Sequence, residues 1–113
     1  MKVLIEPTIR EFFLELVITL TEKGYFNYEE DAIDYVNELF MEIKTNLPKM
    51  KHKPAPRYYE KYGKDLYYAT IRKNKRTHWY PFFSKYVENG ETIYTVSYIG
   101  NNHTEAHHLY EGF

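Results

Sequence analysis

Two groups of ionisable side chains in the second half of this sequence could carry out chemistry. The first is a run of cations between Arg72 and Arg76, followed closely by His78. The second is a set of histidines near the end, in which His103 and His107 are one helical turn apart. Guanidinium and ammonium groups bind phosphate, and imidazole exchanges protons near neutral pH. These residue types together suit acid–base chemistry on a phosphate-containing partner.

Charge is strongly segregated along the chain. Residues 1–48 carry 4 Lys and Arg against 10 Asp and Glu, and residues 86–113 carry 4 acidic residues and no Lys or Arg. Residues 49–85 carry 11 Lys and Arg against 2 acidic residues, although the net charge of the chain is only −1. A dense basic block in an otherwise acidic chain indicates an anionic partner, nucleic acid first. The alternative for 49–64 is a solvated, lysine-rich loop.

The histidine spacing also raises the possibility of a metal site. His103 and His107 have the i, i+4 spacing of helical metal ligands, with Glu105 between them. The sequence lacks the His-Glu-x-x-His pattern and an evident third ligand, and it contains no cysteine. We therefore predict no metal site and no cofactor.

The length and composition of the chain limit the number of domains and the cellular locations that we expect. A length of 113 residues predicts a single domain, 1–113, and the absence of cysteine excludes disulfides. The N-terminus lacks the pattern of a signal peptide, and no apolar run is long enough to span a bilayer. We expect a cytoplasmic protein without a membrane partner.

The first half of the chain predicts a strand followed by a helical hairpin. Residues 3–5 form a short apolar run that ends at Pro7, which favours a strand. Apolar residues then recur at spacings of three and four over 9–20 and again over 32–47, the pattern of two amphipathic helices. Because the link between the helices is short, we expect them to pack antiparallel.

The stretch 64–98 predicts a three-stranded antiparallel meander. Its runs of aromatic and β-branched residues are 66–71, 77–87 and 92–99. Asn89-Gly90 between the last two runs is a strong hairpin signal, and Pro81 predicts a bulge or an unpaired backbone position. Both faces are aromatic, so we expect one face to pack against the helices and the other to stay partly exposed as a binding surface.

A linker precedes the meander and a short tail follows it. The basic, proline-containing linker 49–63 is too long for a tight turn, and its sequence allows a helical turn over 56–61. After Gly100, Asn102 followed by Glu105 predicts the start of a short helix. The expected fold class is α+β: an N-terminal strand, a two-helix antiparallel hairpin, a three-strand antiparallel meander and a short C-terminal helix.

This order of elements, with several short motifs, resembles the RelE/ParE family of bacterial toxins. The motifs are Thr77-His-Trp-Tyr80, Ile93-Tyr-Thr-Val-Ser-Tyr-Ile-Gly-Asn-Asn-His103 and Ala106-His-His-Leu109. The element order covers nearly the whole chain, and the motifs fall within residues 73–109. One departure is Ser97, which stands where many members of the family carry a basic residue.

The resemblance implies a function and a site. RelE-like members of type II toxin–antitoxin systems cleave messenger RNA in the ribosomal A site without metal, using basic residues on the meander and His or Tyr near the C-terminus. The candidate catalytic residues are then Arg72, Lys85, His103, His107 and Tyr110. The candidate RNA-binding residues are Lys73, Lys75, Arg76, His78 and Tyr98. The implied partners are messenger RNA, the ribosome and a cognate antitoxin whose helix wraps the toxin.

Two alternatives to an endoribonuclease stay open at the level of sequence. ParE-like members of the same family inhibit DNA gyrase by protein contact and keep no nuclease site. A protein of the same shape could also be a non-toxic interaction module. The three alternatives predict different outcomes on expression: cut messenger RNA, inhibited supercoiling with intact messenger RNA, or harmless accumulation.

Overall fold

A helical hairpin covers one face of a six-stranded sheet, and a short helix follows the last strand. The computed structural model describes residues 1–109. The strands are β1 (Lys2–Ile5), β2 (Lys53–Pro54), β3 (Tyr67–Tyr68), β4 (Ile71–Arg72), β5 (His78–Glu88) and β6 (Glu91–Asn101). The α-helices are α1 (Pro7–Glu22), α2 (Glu29–Asn46) and α3 (Asn102–Leu109), and Leu47–Lys49 and Arg57–Tyr62 form 3₁₀ helices. The chain is therefore a mixed α+β protein, as expected.

The long hairpin of β5 and β6 is the centre of the sheet. The strand order is β1-β6-β5-β3-β2. The short strand β4 also pairs with β5, at His78 and Trp79. β1 runs parallel to β6, and the other pairs are antiparallel. Asn89 and Gly90 join β5 to β6 with φ of 51° and 77°, the two positive values that a type I′ turn requires. The predicted hairpin at this turn is confirmed.

The meander differs from the prediction in its first strand and in its bulge. The run 66–71 forms two short strands, β3 and β4, separated by Ala69 and Thr70. Pro81 stays in register opposite Ile99, and its carbonyl accepts the N–H of Ala69 at 3.3 Å. The bulge lies on β6 instead. Phe82 pairs with Tyr98 and Phe83 pairs with Val96, so Ser97 is an extra residue on β6.

The face of the sheet packed against α1 and α2, here called the helix face, carries the larger core. The helices contribute the apolar stripes that the spacing predicts, among them Ile9, Phe13, Leu16, Val36, Leu39 and Ile43. The sheet contributes mainly Val3, Ile5, Ile71, Trp79, Phe83, Val96 and Ile99. No helix among the described residues has the length and apolar character needed to cross a membrane.

The opposite face, here called the tail face, is covered in part. The 3₁₀ helix Arg57–Tyr62 and the helix α3 lie across it and bury a second core. That core contains Tyr59, Leu66, Tyr68, Tyr80, Phe82 and Leu109. At this end of the face the linker 49–63 folds back over the sheet and stacks Tyr59 on Phe82 with ring centroids 4.1 Å apart. Toward the β5–β6 turn the face stays partly exposed, as expected, and Tyr86 there is 42% exposed.

Candidate nucleic-acid interface

The cations of the first sequence cluster lie on a tight turn between β4 and β5, here called the basic turn (residues 73–77). The N–H of Lys73 donates to the carbonyl of Thr77 at 3.0 Å. Asn74 shapes the turn from inside, because its Oδ1 accepts the N–H of Arg76 at 2.8 Å. Just before the turn, Arg72 lies directly opposite His78 in the strand register, so both side chains project to the same face of the sheet.

The side chain of Asn102 ties the start of α3 to the basic turn. Its Nδ2 donates to the carbonyl of Arg76 at 2.9 Å, and its Oδ1 accepts the N–H of His78 at 2.8 Å. The helix cap is supplied one residue earlier than predicted, since Asn101 Oδ1 accepts the N–H groups of His103 and Thr104. The paired asparagines therefore hold His103 beside the basic turn.

A groove opens between this end of the sheet and the C-terminal half of α1, and we call it the Trp79 groove. Its volume is about 470 Å³. Its lining residues are Leu16, Thr19, Leu20, Lys23, Tyr25, Phe26, Tyr35, Asn74, Thr77, Trp79, Asn101 and His103. The indole of Trp79 donates to the hydroxyl of Tyr35 at 3.0 Å, which fixes both rings in the wall. Aromatic walls beside cations suit single-stranded nucleic acid.

One cation of the basic turn is already engaged with α2. The Lys73 ammonium lies 3.6 Å from the carboxylate of Glu38 and 5.1 Å from the centroid of the Tyr35 ring. The Lys73 side chain is 11% exposed, so little of it can reach a phosphate. Arg72, Lys75 and Arg76 are exposed and remain the cations available at this end.

Lys85 is not brought together with the other candidate catalytic residues. It lies seven residues beyond His78 on β5, which corresponds to about 23 Å at about 3.3 Å per residue. Its ammonium lies 4.4 Å from the Tyr67 ring centroid and 3.4 Å from His52 Nδ1. Tyr67 packs against the core of the helix face, so Lys85 belongs to that face and to the far end of the sheet.

His107 belongs to a second cluster, on the outside of the tail face. Its ring lies 3.7 Å from that of His108, which stacks on Tyr58 at 3.6 Å. The ammonium of Lys61 lies 3.8 Å from the Tyr58 ring centroid, and the hydrogen bond with Tyr58 raises the pKa of Lys61. His103 and His107 are about 6 Å apart along the helix axis, at about 1.5 Å per residue, so the two clusters adjoin.

Tyr98 is engaged and does not offer a free ring for base stacking. Its ring stacks on Tyr62 at 3.9 Å, and its hydroxyl donates to Glu105 Oε2 at 3.1 Å. Tyr59 donates in the same way to Glu105 Oε1 at 3.1 Å. Burial, and after it the charge of Glu105, raises the pKa of both tyrosines, so both hydroxyls stay protonated donors.

Sequence reasoning missed the structural importance of Glu105 and Gly100. Glu105 is 5% exposed, and it lies against Gly100 so closely that a Cβ there would be 2.4 Å from its Cγ. A signal existed in the spacing, because Glu105 and the apolar Leu109 are four residues apart and share the inward face of α3.

Three further points from the sequence can be compared with the structure: Tyr110, Ser97 and the question of a metal site. The candidate Tyr110 lies outside the described residues. Ser97 Oγ is buried and has no hydrogen-bond partner among the described residues. Within residues 1–109 there is no group of three or more His, Cys, Asp or Glu side chains that could hold a metal ion.

Comparison with known proteins finds no matching family model, and neither the curated proteins nor the solved structures include a match. The function therefore has to rest on the side chains and the geometry of this chain. The strongest geometric feature is the end of the sheet where the Asn102 side chain bonds the backbone of Arg76 and of His78. Arg72 lies opposite His78 there, and His103 is the next residue of α3.

Proposed function

We propose that this chain is a RelE/ParE-like toxin of a type II toxin–antitoxin system that acts in the cytoplasm as a metal-independent endoribonuclease on ribosome-bound messenger RNA. The order of strand, helical hairpin, antiparallel strands and C-terminal helix supports this proposal, since it is the order that the family resemblance implies. The segregated charge also supports it, because 11 of the 15 Lys and Arg residues lie within residues 49–85.

The observation that carries the proposal is the bridge made by Asn102. Its amide contacts both the carbonyl of Arg76 and the N–H of His78, so a proton-transfer group on α3 is held next to a phosphate-binding turn. The adjoining Trp79 groove has the volume and the aromatic lining for an unstacked base. Cations, imidazole groups and an aromatic groove thus lie at the same end of the sheet, with His78 projecting to the tail face and Trp79 to the helix face.

The chemistry assigned to this site is transesterification at a ribose phosphate. His103 removes the proton of the 2′-hydroxyl, whose oxygen attacks phosphorus and forms a 2′,3′-cyclic phosphate. Arg72 and Arg76 stabilise the additional negative charge on the phosphoryl oxygens. His78 in its protonated form donates to the leaving 5′-oxygen, so the second fragment begins with a 5′-hydroxyl.

A cognate antitoxin is part of the same proposal, and the outer surface of the helical hairpin is its docking site. A groove of about 610 Å³ runs between α1 and α2, and Leu14, Ile18 and Ile33 are exposed along it. On the helical wheel, exposed Glu11, Glu15 and Glu22 flank the α1 side. A partner helix with an apolar face and basic flanks complements this surface.

Induced expression with mapping of messenger RNA ends tests the proposal. The wild-type chain should arrest growth and leave 5′-hydroxyl and 2′,3′-cyclic phosphate ends within translated codons. The combined variant Arg72→Ala, Arg76→Ala and His103→Ala should abolish the cuts, whereas Lys85→Ala should retain them. Growth arrest with intact messenger RNA and inhibited supercoiling would instead show a gyrase-directed toxin. Harmless accumulation of the folded wild-type chain would contradict toxicity altogether.

A further inference from the structure

A second cavity, which shares Trp79 and Asn101 with the Trp79 groove, lies where α1 and α3 approach the end of β6. We call it the Glu105 cavity; its volume is about 280 Å³. Its walls are formed by Ile9, Phe12, Trp79, Tyr98, Ile99, Gly100, Asn101, Thr104 and Glu105. Three of these residues are aromatic, and Glu105 is the one ionisable acid among them. The cavity is therefore apolar and aromatic with a single carboxylate in its wall.

The charge of Glu105 lacks a cation. Glu105 is 5% exposed, and it takes part in no ion pair among the described residues. The nearby Lys61 is fully solvated and held over Tyr58, and Glu105 makes the smallest contribution to its raised pKa. The hydroxyls of Tyr59 and Tyr98 occupy one lone-pair position on each carboxylate oxygen. A carboxylate has about four such positions, so about two remain open.

Burying a carboxylate without a cation is costly, and a ligand that supplies the opposite charge reduces this cost. We propose that the Glu105 cavity is a socket for an arginine side chain of a partner protein. The guanidinium occupies the open positions of the Glu105 carboxylate through two N–H groups and lies against the rings of Phe12 and Trp79. The binding of arginine does not rest on the proposed cleavage of RNA, although Glu105 lies on α3 together with His103.

Arginine fits the cavity better than other ligands for three reasons. Its planar fork donates two parallel N–H bonds to one carboxylate, which a lysine ammonium does not do. Its flat face stacks on aromatic walls. Its full positive charge compensates the buried carboxylate, whereas a neutral nucleobase with similar N–H donors leaves the charge uncompensated.

The single tryptophan of the chain provides a direct assay, since Trp79 lines the cavity. N-acetyl-arginine amide is titrated into the full chain while tryptophan fluorescence and amide NMR shifts around Gly100 and Glu105 are followed. We expect saturable binding. N-acetyl-citrulline amide, which has nearly the same shape but no charge, should bind about tenfold more weakly or worse, because charge-assisted hydrogen bonds are lost. The lysine analogue should also bind more weakly.

Two variants separate the carboxylate from the aromatic wall. Glu105→Gln should lower the affinity for the arginine probe about tenfold or more, and Glu60→Gln, which changes an exposed carboxylate, should leave it unchanged. Phe12→Leu keeps the carboxylate and should weaken binding severalfold through the lost stacking. The comparison of arginine with citrulline uses the unmodified chain and remains decisive if a variant fails to fold.

The proposal is overturned by any of three results. Equal binding of the arginine and citrulline probes would show that charge is not recognised. Saturable binding of guanosine without binding of the arginine probe would assign the cavity to a base. Absence of fluorescence and NMR changes with every probe would show that the cavity takes none of these ligands.

Discussion

The helix face and the tail face of the sheet each bury a core, but with different kinds of side chain. On the helix face, aliphatic residues such as Leu39 and Ile43 are fully buried with no polar atom to satisfy. On the tail face, Tyr59 and Tyr98 bring hydroxyls into the interior, and both need the carboxylate of Glu105. Apolar packing tolerates small shifts, whereas a hydrogen-bonded network requires one arrangement.

The two faces have different roles: one stabilises the fold and the other positions α3. The helix face supplies most of the apolar burial, which is roughly proportional to stabilisation. The tail face fixes the position of α3, and with it Asn102 and His103 at the basic turn. We therefore expect substitutions on the helix face to change stability most, and substitutions around Glu105 to change the geometry of the site as well.

The largest effect on stability is expected for Leu39→Ala. Leu39 is fully buried, and removal of its methyl groups should lower the free energy of unfolding by about 2–5 kcal/mol through lost burial and a new cavity. Met41→Ala, two residues along the same helix at a site that is 55% exposed, is the matched control and should change it by less than about 1 kcal/mol. Urea unfolding of both variants measures this. Equal losses of unfolding free energy in the two variants would contradict the assignment of Leu39 to the core and of Met41 to the surface of α2.

Gly100→Ala should disturb the tail face selectively. The new Cβ would lie 2.4 Å from Glu105 Cγ and 2.7 Å from its carboxyl carbon, so the Glu105 side chain must move and disturb the packing of α3, at a cost of about 1–3 kcal/mol. Hydrogen exchange should become faster in α3 while α1 and α2 stay protected. Adding Glu105→Ala removes the clash, and the double variant should lose less stability than the two single losses combined. Strict additivity would show that the contact does not hold α3.

Alkaline pH should weaken the tail face through its tyrosines. Burial and the charge of Glu105 raise the pKa of Tyr59 and Tyr98 in the folded state, while unfolded tyrosines titrate near pH 10. The folded state thus binds more protons above about pH 10, so this contribution is intact below that pH and is lost as the pH rises. Tyr98→Phe should cost about 1 kcal/mol at neutral pH and flatten the alkaline loss, measured by urea unfolding across the pH range. Tyr25→Phe, at an exposed site, is the matched control and should leave the free energy of unfolding at neutral pH unchanged.

The smallest effects on stability are expected on the basic turn, where Lys73 contacts α2 and Lys75 is exposed. Lys73→Ala removes an ion pair with a largely exposed carboxylate and a cation–π contact, and should cost about 0.5–1 kcal/mol. It should leave RNA affinity almost unchanged. Lys75→Ala should leave the stability unchanged and weaken RNA binding. The slope of log affinity for RNA against log salt concentration should be smaller in magnitude by about 1. A larger loss of RNA affinity in Lys73→Ala would mean that Lys73 leaves α2 to bind RNA.

The sequence was sufficient for the elements that local patterns specify. The stripes of α1 and α2 follow from apolar spacing, and the β5–β6 hairpin follows from Asn89-Gly90. The split of the first meander strand and the bulge at Ser97 were not predictable, because they depend on how Pro81 and its neighbours pair across strands. The β2 strand in the linker was missed for the same reason.

The candidate site was predicted in part. The strand register puts Arg72 opposite His78, and the bridge by Asn102 brings the start of α3 with His103 to the same end of the sheet, so three of the predicted residues lie at that end. Lys85 was grouped with them because residue type carries no information about position along a strand or about the face of the sheet. Tyr98 was expected to be available to a base, but its hydroxyl is bonded to Glu105 and its ring is stacked on Tyr62, because α3 and the linker fold over the tail face.

Cleavage of messenger RNA on programmed ribosomes by the purified chain tests the central claim most directly. The rate of cut formation is compared between wild type, His103→Ala and Lys85→Ala under single-turnover conditions, with no added metal beyond that of the ribosomes. We predict that His103→Ala lowers the rate by about 10²-fold or more, as removal of a proton-transfer group does, while the rate of Lys85→Ala stays close to that of wild type. A His103→Ala protein that cuts at the wild-type rate, or a Lys85→Ala protein that suffers the larger loss, would contradict the placement of the site at the basic turn.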